Sequence, residues 1–197
     1  MTEVNRKLYE GLTKRLDEGR SIDVTQERCV LVRNRNADAD AKADPKQAYI
    51  IALGENDLNT GIAAGDVASD VDLDDCYKNA DTFAGNYAGI IQRIKGIQPG
   101  ARIFVVTMPN SHSAKLKSAF NEQIRKMPEV FGNVYLLDLE KYGPDYLTEE
   151  FMSRYFVMGH MNAAGYQWTA WMFMTYIDWI IEHNMEIIKC ADYVIDL

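Results

Sequence analysis

The sequence predicts an α/β domain with a mainly parallel sheet and helices on both of its faces. Three short apolar runs, Tyr49–Leu53, Ala101–Met108 and Asn133–Leu139, have the length and β-branched content of buried strands. Helical periodicities follow them in alternation, over 81–96, 112–127 and Ala163–Ile181. Strand–helix alternation of this kind builds parallel sheets, because each crossover must return to the same edge direction.

The elements can be justified in order. Val4, Leu8, Leu12 and Leu16 recur every four residues and predict an amphipathic helix over 2–18 that ends near Gly19. Cys29–Val32 reads as a short strand, and Asn34–Asp44 as polar loop. After the Tyr49–Leu53 run, residues 58–80 read as a loop or pair of short turns rich in Asp and Gly. Asp70, Asp72 and Asp74 suggest a calcium loop, but Asp75 stands where that template needs glycine and Asp81 where it needs a bidentate Glu. The acidic run is therefore read as solvated loop.

Phe83, Tyr87, Ile90, Ile91 and Ile94 form one stripe of the next helix, with Asp81 as its expected N-cap and Gly96 and Pro99-Gly100 as its end. In the following helix Leu116, Phe120, Ile124 and Met127 face inward. A turn at Tyr142–Pro144 and a short helix over 148–155 lead to the long segment from Ala163. That segment carries the three tryptophans, but Gln167, Thr169, Thr175 and Asp178 interrupt it. Such groups suit a buried core helix rather than a membrane span. The end, Asp192–Leu197, reads as an edge strand.

A chain of 197 residues, with 47% apolar and 25% charged side chains, fits one domain, 1–197, that buries its core without staples. The net charge of −8 argues against nucleic acid or an anionic membrane surface as partner. Three scattered cysteines, Cys29, Cys76 and Cys190, form neither a disulfide framework nor a zinc knuckle and are expected as free thiols. Met1–Lys7 has no apolar stretch of a signal peptide, so the chain as written is expected in the cytoplasm, or secreted if a leader has been lost. No phosphate-cradling glycine pattern follows a strand, which argues against a nucleotide-binding domain.

The functional signal lies in two turns. Tyr49–Leu53 runs into Gly54-Glu55-Asn56-Asp57, and polar residues just past the carboxyl end of a parallel strand are where such sheets place chemistry. The Asn56 amide offers two N–H donors that suit a developing oxyanion, although Gly, Asn and Asp also make an ordinary turn. Far downstream, His160 precedes Asn162, the expected N-cap of the long helix, on the loop entering it. A histidine there can act as general base or can simply satisfy a backbone carbonyl. His112 and His183, at a helix start and a helix end, fit structural roles better.

Gly54-x-Asn56-Asp57 after a strand, with Gly159-His160 and Gly165-Tyr166 opening a long C-terminal helix, resembles the SGNH (GDSL-type) hydrolase family over about 46–183. The resemblance implies a three-layer α/β/α sandwich and ester hydrolysis by a serine esterase, with Asn56 in the oxyanion hole, His160 as base and Gly54 at the substrate. It implies a small-molecule or carbohydrate ester, acetyl esters among them, as substrate, and neither cofactor nor metal.

Two features depart from the family pattern. No Gly-Asp-Ser block occurs, and Gly19-Arg20-Ser21 follows a charged segment rather than a strand. The family's Asp three residues before the base is Val157 here. An N-terminal truncation that removes the nucleophile would account for this. So would a catalytically silent relative that keeps the crevice to bind a carbohydrate ester or a protein partner.

Overall fold

The computed structural model describes residues 46, 48–109 and 114–184, all within the unit Asp40–Leu197. The helix expected over 2–18, the strand at Cys29–Val32, Ser21, His112, Cys190 and the terminal strand lie outside the described residues.

Three strands, β1 (Ala48–Ile51), β2 (Arg102–Val106) and β3 (Val134–Leu137), form a parallel sheet in that order. Tyr49 stands beside Ile103, and Ile103 beside Val134, so that side chains alternate in step across the sheet. One face carries Ile51, Ile103, Val105 and Val134. It packs on α2 (Phe83–Ile97) through Phe83, Tyr87 and Ile91, and on α3 (Ala114–Val130) through Phe120, Ile124 and Met127. The other face presents Phe104, Val106 and Leu137 to α6 (Ala163–His183). The expected α/β class, a parallel sheet with helices on both faces, is what the chain adopts.

Several local expectations are corrected. The stretch 58–80 holds the expected pair of short turns, 3-10 turns at Asp57–Asn59 and Cys76–Lys78, and in addition a short helix between them, α1 (Val67–Asp70). Its acids close turns. Asp66 caps Ala68, Asp75 caps Tyr77, and Asp70 accepts from Asp66 N and from the Thr82 hydroxyl at 3.0 and 2.8 Å. Thr82, not Asp81, caps α2, accepting from Gly85 N at 3.1 Å. The reason is tertiary. The first turn of α2 donates from Phe83 and Ala84 to the carbonyls of Ala63 and Ala64, which moves the cap one residue along.

The chain after β3 forms α4 (Leu139–Tyr142) and α5 (Glu149–Tyr155), then a two-stranded antiparallel hairpin, β4 (Phe156–Val157) and β5 (His160–Met161). The long helix is less buried than expected: Trp171 and Trp179 are 62% and 53% exposed. Only the stripe through Met172, Phe173, Tyr176, Ile177 and Ile180 reaches the sheet, and the tryptophans fall off that stripe. No helix among the described residues is long and apolar enough to cross a membrane.

The carboxyl end of β1 is fixed from α2. The buried Tyr87 hydroxyl donates to the Ile51 carbonyl at 2.9 Å. Tyr87→Phe leaves that carbonyl buried without its donor, so the expected loss is about 1–2 kcal/mol. Urea unfolding would show it as a lower midpoint with an unchanged slope.

Candidate active site

The carboxyl ends of the three parallel strands form one rim, and each is held by a side chain of α3. Past β1, Gly54 takes φ +127°, open only to glycine. A Cβ there would stand 3.0 Å from the Met108 sulfur and 3.2 Å from the Phe83 ring, so this turn packs directly on the residues past β2. The Gly54 carbonyl accepts from Asp57 N and Leu58 N at 3.1 and 3.3 Å, curling the chain so that Glu55 and Asn56 lie at its exposed crest. Asn56 precedes the 3-10 turn and makes no side-chain cap to it.

Lys117 of α3 is buried, and its ammonium lies 3.2 Å from the Glu55 carboxylate and donates to the Pro109 carbonyl at 3.3 Å. One turn on, the buried Asn121 pairs with Met108 as a neighbouring strand would, accepting from its N at 2.8 Å and donating to its O at 2.9 Å. One turn further, Arg125 makes a two-point contact with Asp138 at 2.8 and 2.9 Å and reaches Glu140 at 2.6 Å. Asp138 also accepts from the Thr107 hydroxyl at 3.0 Å, joining the ends of β2 and β3. Burial pushes the Asp138 carboxyl upward. Arg125 and Thr107 outweigh it and hold the pKa below the usual carboxylate value.

His160 has a different frame. It is exposed on β5, directly across from Val157 of β4, rather than on an open loop into the helix. Met158 and Gly159 between them both take positive φ, 52° and 83°, the twist of a tight two-residue hairpin. Methionine is a poor signal for such a turn, which is why the hairpin was not legible. Asn162 caps α6 as expected, accepting from Gly165 N at 2.9 Å, and also donates to the Arg154 carbonyl at 2.8 Å. Tyr146, Phe151, Tyr155 and Trp168 form an aromatic cluster with Phe156 of β4. Val157 brings no charge to the imidazole.

Asn56 and Gly54 thus share one turn, tied through α3, while His160 is placed by the hairpin and α6. The sequence reading missed Lys117, Asn121 and Arg125. Their signal was a polar stripe at spacing four beside the apolar stripe of Phe120, Ile124 and Met127. His183 is structural as expected, with Nδ1 2.8 Å from the Trp179 carbonyl and its ring stacked on Trp179. Cys76 is a free, partly buried thiol. It lines a 350 Å³ cleft with Gln92 and Lys95, and Lys95 bonds Ala101 just before β2, away from the carboxyl rim. Among the described residues no group of His, Cys, Asp and Glu could hold a metal ion.

A layered α/β domain with polar turns collected at the carboxyl ends of its strands is a common hydrolase and ligand-binding architecture. The chain belongs to the GDSL-like Lipase/Acylhydrolase family, whose model matches residues 4–168. The matched span starts well upstream of residue 46, where the motif resemblance began, and stops short of 183. No curated protein and no solved structure is similar enough to match.

The Asp138–Arg125 contact makes stability depend on pH. Because the folded carboxyl is held low, its contribution is complete above the unfolded value of about 4 and is lost as pH falls through the folded value. Acid titration of the unfolding midpoint should therefore decline below about pH 4, and Asp138→Asn should flatten that decline. Arg125→Met should cost about 2 kcal/mol at neutral pH, less than a fully buried pair because the guanidinium is one-third exposed.

Proposed function

We propose that this chain hydrolyses acyl esters, with carbohydrate acetyl esters as the favoured substrate class. The family match over 4–168 carries the reading, and the Gly54–Asn56 turn at the carboxyl end of β1 supports it. In this reading His160 removes the proton from an attacking serine hydroxyl. The Asn56 Nδ2–H groups donate to the carbonyl oxygen as it becomes an oxyanion, and the backbone at Gly54 lies against the substrate. Collapse of the tetrahedral intermediate expels the alcohol, which takes the proton from His160, and water then releases the acyl group by the same steps in reverse. The attacking serine is not assigned among the described residues.

A second reading, a silent relative that binds a carbohydrate ester or a protein partner, is favoured by one feature. Val157 stands opposite His160, where a carboxylate would orient the imidazole.

Hydrolysis of p-nitrophenyl acetate between about pH 6 and 9 separates the two. Turnover is expected, with kcat reduced about a hundredfold by Asn56→Ala, the usual effect of removing one oxyanion donor. His160→Ala is expected to reduce it further. A folded sample without turnover, but stabilised thermally by acetylated oligosaccharides, would replace the enzyme with the binding module.

A further inference from the structure

We infer that Lys117 is a positioning residue: it sets the tilt of the Asn56 turn against the end of β2. For catalysis this rests on the ester-hydrolase reading above; as a statement about the turn it stands without it.

The ammonium bridges two loops. One contact is Glu55, the residue immediately before Asn56, at 3.2 Å, and the other is the Pro109 carbonyl past β2, at 3.3 Å. The turn's own hydrogen bonds, from Asp57 N and Leu58 N to the Gly54 carbonyl, set its curvature, and the Lys117 bridge pins that curl to the end of β2, so that without the bridge the curl opens more often. Met108, on which Gly54 packs, is itself held at N and O by Asn121, one turn along the same helix. Lys117 and Asn121 therefore seat both loops on one rigid element.

The asymmetry of the pair argues that its role is position rather than stability. The Lys117 side chain is 1% exposed, while that of Glu55 is 62% exposed. Burying an ammonium carries a large desolvation cost, and a carboxylate still in water returns little of it. An apolar residue at 117 would serve the fold as well. What it could not do is reach out and hold Glu55, and through it the backbone that aims the Asn56 amide.

The test uses Lys117→Met, which keeps the volume and leaves Glu55 solvated, so the protein should melt near the wild-type temperature. Two measurements follow. Amide hydrogen exchange at Asp57 and Leu58 should quicken in the variant while exchange in β2 is unchanged. With p-nitrophenyl acetate, kcat should fall about tenfold with little change in KM, as expected for a misaimed donor. In an Asn56→Ala background the same substitution should cost nothing further, because the two act as one unit.

Unchanged exchange at Asp57 and Leu58 would overturn the inference. So would an equal loss of kcat with and without Asn56, which would place Lys117 outside the donor's path. If wild-type protein turns over no ester, the hydrolase reading fails by itself, and the exchange measurement alone decides the role of Lys117.

Discussion

The rim of this domain depends on three polar side chains of one helix. Lys117, Asn121 and Arg125, each a turn apart on α3, hold the chain past β1, β2 and β3 in that order. A parallel strand ends with backbone groups that its neighbours no longer pair, and burying them unpaired would be costly. Asn121 answers this directly at Met108, and the Arg125–Asp138–Thr107 network answers it at β3, where Thr107 also accepts from Glu140 N at 3.0 Å. The consequence is geometric. Three loops that the sheet alone would leave to move separately share the rigidity of one seventeen-residue helix.

The second frame is apolar. Phe151, Tyr155 and Trp168 cluster with Phe156 of the hairpin that carries His160, with ring centroids 4.7–6.2 Å apart. A Cβ at Gly165 would stand 2.6 Å from the Tyr155 carbonyl, so only glycine lets the first turn of α6 come this close to the hairpin's root. Because α6 packs on the face of the sheet opposite α3, the turn and the hairpin are referenced to different layers. Their registry passes through the β2 side chains, Ile103 and Val105 toward one layer, Phe104 and Val106 toward the other. Substitutions in β2 therefore bear on both frames at once.

What the sequence disclosed follows from these physical differences. Strands and helices were legible because their apolar periods match the burial they achieve: the stripe Phe83, Tyr87, Ile91 and the run Ile103–Val106 lie in the core as read. The Asn162 cap was legible for the same local reason, since its acceptor needs only its own next three residues. The rim was not. Lys117 and Arg125 look like solvated charges of an amphipathic helix, and only the tertiary arrangement gives them Glu55 and Asp138, which lie 62 and 13 residues from them in the chain. The His160 hairpin was missed because a methionine, a residue that rarely takes positive φ, occupies the first position of its turn. The exposed tryptophans of α6 were missed because composition does not say which stripe meets the sheet.

The Asn56 turn and the His160 hairpin are framed differently, and in the ester-hydrolase reading proposed above that difference bears on chemistry. At the Asn56 turn, a positive-φ glycine, a buried ammonium and a backbone-mimicking amide hold the chain past β1 and β2. Electrostatic stabilisation works when donors need no reorganisation as charge develops, which is the use the proposed function makes of this fixed backbone. At the hairpin the backbone is fixed, but the cross-strand partner of His160 is an apolar Val157, 59% exposed, which offers the ring no side-chain acceptor. In triad chemistry the carboxylate at that place selects the tautomer and steadies the imidazolium. In the ester-hydrolase reading proposed above, residue 157 leaves that orienting role unfilled, because a valine side chain can neither accept from the ring nor balance its charge.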